Sequence, residues 1–316
     1  MILKKLVFFA AAALMLLSMS GCEKDNVRNS DGEKIVARFC VEIPDKVRTK
    51  SVGDGDHTDI VYYEVWSADF TTVLFSSYSM FSAPGVAELD IAMVKDQTYN
   101  LIFWAQDNSE KSPYSWDNLK KVEVDYSKFT SNNKDCYDAF YAVTEIVADG
   151  TPKTVKLYRP FGQLNVGTST METAFGEFAI TGNSVTVSQY AKAFDTVSGT
   201  AVDYVNAPMT FTASEGGLVE KGESDDKGLG IDDMSYYWVA MNYLLVPSQT
   251  EATVTVDMTF NTTGGKVSHS VINVPLKQNY RTNIVGDLFT TSSKLTVVVV
   301  PGFTDDFNGP DFNRNN

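Results

Sequence analysis

Apolar residues recur at every second position from Ile35 to Ile43. Ile35, Ala37, Phe39, Val41 and Ile43 share one side, Arg38, Cys40 and Glu42 take the other, and Pro44 ends the run. A period of two is the mark of a strand with one buried face. A polar loop from Asp45 to Asp59 follows, and strand-like text restarts at Ile60–Trp66 and Val73–Phe75. Pro84-Gly85 marks a turn. Gln97–Ala105 carries large apolar side chains on both faces and is predicted to be a central strand. Asp107–Asn118 reads as a polar loop, and Lys121–Val124, Tyr137–Ile146 and Thr154–Arg159 as further strands. The pattern restarts at Arg159-Pro160 with short runs at 163–166, 177–180, 184–187 and 208–212. Residues 215–233, rich in Gly and Asp, form a predicted surface loop. Longer strands are predicted at Tyr236–Val246 and Ala252–Phe260, a hairpin partner at Lys266–Val274, and a last strand at Leu295–Val300. No stretch keeps a 3.6-residue period over the length of a helix. Short strands at this spacing predict an all-β chain of two β-sandwiches in tandem, 35–159 and 160–316.

The start of the chain follows a different logic. Lys4 and Lys5 precede an unbroken apolar run, Leu6 to Leu17, closed by Met19-Ser20-Gly21-Cys22. Positive, then apolar, then small is the order of an export signal, here residues 1–21. The run is shorter than the ~20 residues a membrane-spanning helix needs. Residues 22–34 are polar, without apolar period, and read as a flexible tether. The closing cysteine resembles the lipobox of bacterial lipoproteins. That resemblance implies lipidation of Cys22 as the new N-terminus, against an ordinary secretory signal with an incidental cysteine.

Charge narrows the partners. The chain has 26 Lys and Arg against 40 Asp and Glu, a net −14. Such a surface repels phosphate backbones, so no nucleic-acid partner is expected. A hold on the outer membrane would have to come from acyl chains. Cys40 and Cys136 remain as a candidate disulfide or as two thiols. His57 and His269 stand in no metal-ligand spacing, and there is no GxSxG, GxGxxG or Walker loop. Asp54–His57 and Asp225-Asp226 are acidic enough for Ca²⁺ but lack the EF-hand order, and solvated loops are the simpler reading. No pair of carboxylates is singled out for glycoside hydrolysis. No catalytic residue, metal or cofactor is therefore predicted, and the chain is expected not to be an enzyme. Trp66, Trp104, Trp116 and Trp238 serve either as core or, where exposed, as surfaces that stack on sugar rings.

Arg48 lies in the polar loop just after the first strand, where a protease has access. A cut there frees Ile35–Ile43 and leaves open strand edges around an apolar groove, a template for a foreign strand. The alternative is a plain surface arginine. The chain resembles the fimbrillin-like lipoproteins, subunits or relatives of type V pili. The likeness is carried by the lipobox, by Arg48 and Gly53–Gly55 leading into Val61–Trp66, and by Leu157–Thr168 with its Arg-Pro-Phe. It is carried further by Tyr280–Leu288 with its Tyr-Arg-Thr-Asn, and by Thr296–Phe303. The resemblance implies two transthyretin-like Greek-key β-sandwich domains in a surface-exposed outer-membrane lipoprotein or fimbrium. It also implies cleavage at Arg48 and assembly with other pilus subunits by donor-strand exchange, for adhesion to a host protein or glycan. The exchanged-strand candidates are Ile35, Ala37, Phe39, Val41 and Ile43 at one end and Leu295, Val297 and Val299 at the other. The tail after Phe303 has no strong strand pattern, and Leu295–Val300 looks needed to close the second sandwich. That favours an accessory or tip-like subunit over a stalk unit. A monomeric glycan-binding surface lipoprotein is the alternative. Asp195-Thr196-Val197 resembles an acceptor for periplasmic O-glycosylation, at Thr196, against an unmodified loop threonine.

Overall fold

A computed structural model describes residues 32–43, 55, 57–109, 112–128, 135–168, 172–173, 176–177, 182–212, 237–246, 252–262, 265–290 and 294–300. The export signal, Cys22, the tether up to residue 31, Arg48, Asp54 and Asp225-Asp226 lie outside these residues.

The first half supplies β1 (Lys34–Glu42), β2 (Ile60–Trp66), β3 (Val73–Met80), β4 (Val86–Val94), β5 (Thr98–Gln106), β6 (Tyr114–Ser115), β7 (Lys121–Val124), β8 (Phe140–Val147) and β9 (Lys153–Lys156). The second half supplies β10 (Phe161–Thr168), β11 (Glu172–Thr173), β12 (Gly176–Glu177), β13 (Gly182–Val187), β14 (Tyr190–Asp195), β15 (Thr200–Val205) and β16 (Met209–Thr212). It continues with β17 (Tyr237–Leu245), β18 (Ala252–Thr262), β19 (Gly265–Leu276), β20 (Arg281–Gly286) and β21 (Thr296–Val300). Among the described residues the only helical turns are short 3₁₀ turns at Tyr126–Lys128 and Asp135–Tyr137. The all-β expectation holds.

Two sheets of the first half, ordered β4-β1-β9 and β3-β2-β5-β8, face each other. Ala37, Phe39, Val41, Leu89 and Ile91 from one meet Val61, Tyr63, Val65, Leu101 and Phe103 from the other. This is a β-sandwich core, filled by the inward side of each alternating strand. β5 lies between β2 and β8 with both faces covered, as its doubly apolar text predicts. The second half repeats the plan. β10 lies between antiparallel β17 and parallel β20, as β1 lies between antiparallel β4 and parallel β9. The opposing sheet is ordered β16-β13-β18-β19, the counterpart of β3-β2-β5-β8. The second half alone adds a further strand, β21, antiparallel on β20.

One sheet crosses residue 160. The hairpin β6–β7 of the first half pairs through β7 with β14 of the second, giving the order β15-β14-β7-β6. It lies over the outer face of β2–β5–β8, where Trp104 and Tyr141 meet Phe194 of β14 at ring separations of 6.5 and 4.6 Å. Those residues join one continuous apolar cluster with the second-half core. The sheet β3-β2-β5-β8 is therefore covered on both sides, which explains apolar text on both faces of β5.

Several strands escape the hydropathy reading. β4 carries clean alternation, Ala87, Leu89, Ile91 and Met93 in against Glu88 and Asp90 out, and was legible. β14 buries Ala191, Ala193 and Phe194, a pattern without clean alternation, and β15 follows it through a tight turn. β20 is buried yet rich in Thr and Asn, so no apolar run announces it. β6 occupies part of the expected polar loop 107–118.

Candidate functional site

The first strand is built to be held from every side. Ala37, Phe39, Val41 and Ile43 are 0–3% exposed, and Ile35 is half-buried at the open end. Burial of each larger side chain contributes about 1.5–3 kcal/mol. β1 pairs with β4 along its whole length, from Lys34↔Val94 to Glu42↔Val86, and with β9 from Phe39↔Lys153 to Glu42↔Lys156. Phe39 packs on Phe103 across the core, ring centroids 6.3 Å apart. On the outer face, Arg38 pairs with its register partner Asp90 at 3.6 Å, both largely exposed, and such a pair contributes little. Cys40 donates to Glu42 Oε1 at 3.2 Å. Burial, that hydrogen bond and the charges of Glu42 and Glu88 push its thiol pKa up to about 11. Removing β1 would expose the inner edges of β4 and β9 and an apolar floor between them.

The opposite candidate is held differently. β21 pairs with β20 alone, from Val285↔Thr296 to Arg281↔Val300, at the edge of its sheet. Leu295, Val297 and Val299 alternate as Ala37, Phe39 and Val41 do, but all three are only half-buried. Leu295 and Val297 pack on the second-half core. An edge strand with one ladder and partial burial costs less to detach than β1.

The sequence blocks that carry the family resemblance are internal clamps. Arg159 and Asp138 are each 1% exposed and paired, with Nε donating to Oδ1 at 2.6 Å. The guanidinium lies over the Phe140 ring at 5.0 Å and the Tyr243 ring at 5.9 Å. Asn165 donates from Nδ2 to Asn283 Oδ1 at 2.8 Å, and the two are register partners in the parallel pair β10–β20. A Cβ at Gly162 would meet the Lys277 carbonyl oxygen at 2.9 Å, so only glycine fits there. Thr282 donates to the Pro275 carbonyl at 2.5 Å. Arg-Pro-Phe and Tyr-Arg-Thr-Asn thus meet in the interior.

Thr196 is corrected by its surroundings. It is 0% exposed, its hydroxyl donates to Leu119 O at 2.7 Å, and its N–H donates to Lys120 O at 2.9 Å. It fastens the β14–β15 turn to the loop before β7 and offers no free hydroxyl for a sugar in the folded chain. Cys40 and Cys136 form no disulfide. Trp66 and Trp104 are core: their indoles donate to Glu64 and Gln106 at 3.0 Å each. The side chain of Trp238 lies outside the described residues, and Trp116 is half-buried near the surface.

Glu64 was missed, although a carboxylate inside Ile60–Trp66 is the signal. Its Oε2 accepts from the Leu119 N–H and the Trp66 indole, each at 3.0 Å. Burial raises its pKa, opposed by those two donors and by nearby Lys120. Lys120 in turn stands 4.1 Å over the Trp66 ring and donates to the Phe70 carbonyl. Among the described residues no group of three His, Cys, Asp or Glu side chains could hold a metal ion.

Solved structures are similar to this chain, and the first two below, with TM-scores above 0.5, share its fold. A candidate cell adhesion protein from Bacteroides ovatus has a TM-score of 0.52 and 10% identity, over 88% of this chain and all of its own. A candidate adhesin from Bacteroides thetaiotaomicron has a TM-score of 0.51 and 11% identity, over 86% of this chain and 99% of its own. The tip fimbrial protein Mfa3 from Porphyromonas gingivalis, truncated at its C-terminus, has a TM-score of 0.49 and 10% identity, over 85% of this chain and all of its own. No protein of curated function matches the chain. A family model does match it, over residues 29–315, and the chain accordingly belongs to that family, described as a family of unknown function, DUF6562.

Proposed function

We propose that the chain is a fimbrial subunit or adhesin of the cell surface, exported as a lipoprotein through Cys22, accessory or tip-like in place, and not an enzyme. Cleavage at Arg48 releases the segment that carries β1, and a strand from another subunit replaces it. The observation that carries this reading is the position of β1. The first of the described strands is the middle strand of its sheet, with two backbone ladders and an apolar face buried at Ala37, Phe39, Val41 and Ile43. Its loss leaves an opening that only another apolar strand fills. The single additional strand β21, alone on its edge, is the natural donor in shape and alternation.

N-terminal sequencing of the protein recovered from cell surfaces tests this. A start at Thr49 in assembled material supports strand exchange. A lipidated Cys22 on every copy contradicts it and leaves the second reading, a monomeric glycan-binding outer-membrane lipoprotein. That reading draws on Trp116, which reaches the surface beside two tyrosines.

A further inference from the structure

The loop from Ser115 to Lys120 crosses the outer face of β2 and β3 and is fixed at several points. The Leu119 N–H is held by Glu64, the Leu119 carbonyl by Thr196, and the Lys120 N–H donates to Asn118 Oδ1 at 3.1 Å. This fixing presents Trp116 edge-on to Tyr62, ring centroids 5.0 Å apart. Tyr62 in turn faces Tyr78, its cross-strand partner on β3, at 6.0 Å. Tyr78 is 60% exposed. Neither tyrosine hydroxyl nor the Trp116 indole N–H has a hydrogen-bond partner among the described residues, in contrast to the indoles of Trp66 and Trp104. A cavity of about 180 Å³ lies along Tyr62, Tyr78, Ser76 and Glu64, and a second of about 290 Å³ along Asp117, Asn118 and Glu123. Trp116 is the residue that lines both, and the seam is the surface the two make on either side of its ring.

Rigid aromatic faces flanked by amide, hydroxyl and carboxylate groups suit a ligand with apolar C–H faces and many hydroxyls. The charge of the seam selects further. Its one ammonium, Lys121, is already engaged by Asp203 at 2.6 Å and Glu123 at 3.9 Å, and the chain carries a net −14. An anionic ligand meets repulsion there. We propose that the Tyr62–Tyr78–Trp116 seam binds neutral glycans, a pyranose ring stacking on the aromatic faces and its hydroxyls bonding to Ser76, Asp117 and Asn118. Because the loop is fixed before binding, little order is lost on capture. The proposal gives the glycan-binding reading a site, and its failure leaves strand exchange untouched.

Native gels cast with mannan, laminarin or galactomannan, and with heparin as the anionic contrast, test it on the uncut chain. At least one neutral polysaccharide retards the wild type, and heparin does not. Tyr78→Ala and Trp116→Ala each weaken retardation about tenfold, the usual scale for loss of a buried aromatic anchor. Tyr204→Ala, an exposed tyrosine on β15 outside both cavities, leaves it unchanged. Tyr78 is exposed enough that its truncation spares the fold, so that variant alone is decisive. Retardation by heparin only, by nothing, or equally in Tyr78→Ala overturns the proposal. So does a sugar-insensitive self-association through the β3 edge that Tyr78→Ala abolishes.

Discussion

Arg159 is the side chain on which the middle of the molecule is assembled. Its buried pair with Asp138, between the rings of Phe140 and Tyr243, locks the last turn of the first half to β17 of the second. Removing one member of a buried pair costs about 3–5 kcal/mol, because the other charge stays behind without it. Arg159→Ala is therefore expected to lower the unfolding free energy obtained from urea titration by that amount, whereas Arg159→Met with Asp138→Leu together lose much less than the sum of the single changes. A loss below about 1 kcal/mol in Arg159→Ala would show that the pair is incidental. The sequence marked Arg159, Asn165, Thr282 and Asn283 as characteristic blocks but could not say why. Their distances in the chain hide the contact, since Asn165 and Asn283 meet only when β10 and β20 run in parallel. Glu64 was legible in principle: a lone carboxylate in an apolar strand must find donors, and it finds Leu119 and Trp66.

Among the elements, β1 was the most legible, since its alternation and its buried face coincide residue for residue. β4 was equally patterned but overlooked, while β14 and β20 gave no clear alternation, because small or polar residues (Ala191, Ala193, Thr282, Asn283) share their buried positions with Phe194, Ile284 and Val285. β1 also carries a reporter of its own displacement. Within the sheet, burial and the nearby carboxylates push the Cys40 thiol up to about 11; on a released strand it returns toward its ordinary value of 9.0. A raised thiol pKa keeps the protonated form through neutral and mildly alkaline pH. At pH 8 release should thus raise the thiolate fraction by about ten- to a hundredfold. Alkylation of Cys40 by iodoacetamide is expected to be slow in the uncut protein and to accelerate by that factor once the strand is displaced. Equal rates before and after displacement would mean that β1 does not leave its sheet.

At the scale of the whole molecule, the strands on either side of residue 160 follow matching orders, but the two runs are bridged. The hairpins β6–β7 and β14–β15 are insertions in otherwise matching halves, and their pairing makes one covering sheet from both. Sequence reading saw neither the pairing nor the cover, because β6 sits in polar text and the contact spans some seventy residues of chain. Phe194, fully buried against Trp104 and Tyr141, is the centre of that cover. Phe194→Ala is expected to cost about 3–5 kcal/mol and to shift a single unfolding transition seen alike by circular dichroism and tryptophan fluorescence. Two transitions, one of them unshifted, would show that the halves unfold independently.

The central claim is that β1 is replaceable. An arginine-specific protease applied to the purified chain, followed by a peptide copying Lys294–Val300, tests it most directly by native mass spectrometry. The account predicts cleavage after Arg48, a freed segment that stays bound until peptide or a second copy displaces it, and no displacement in Arg48→Gln. If the cut chain keeps its own first strand against excess peptide and forms no oligomer, strand exchange is contradicted.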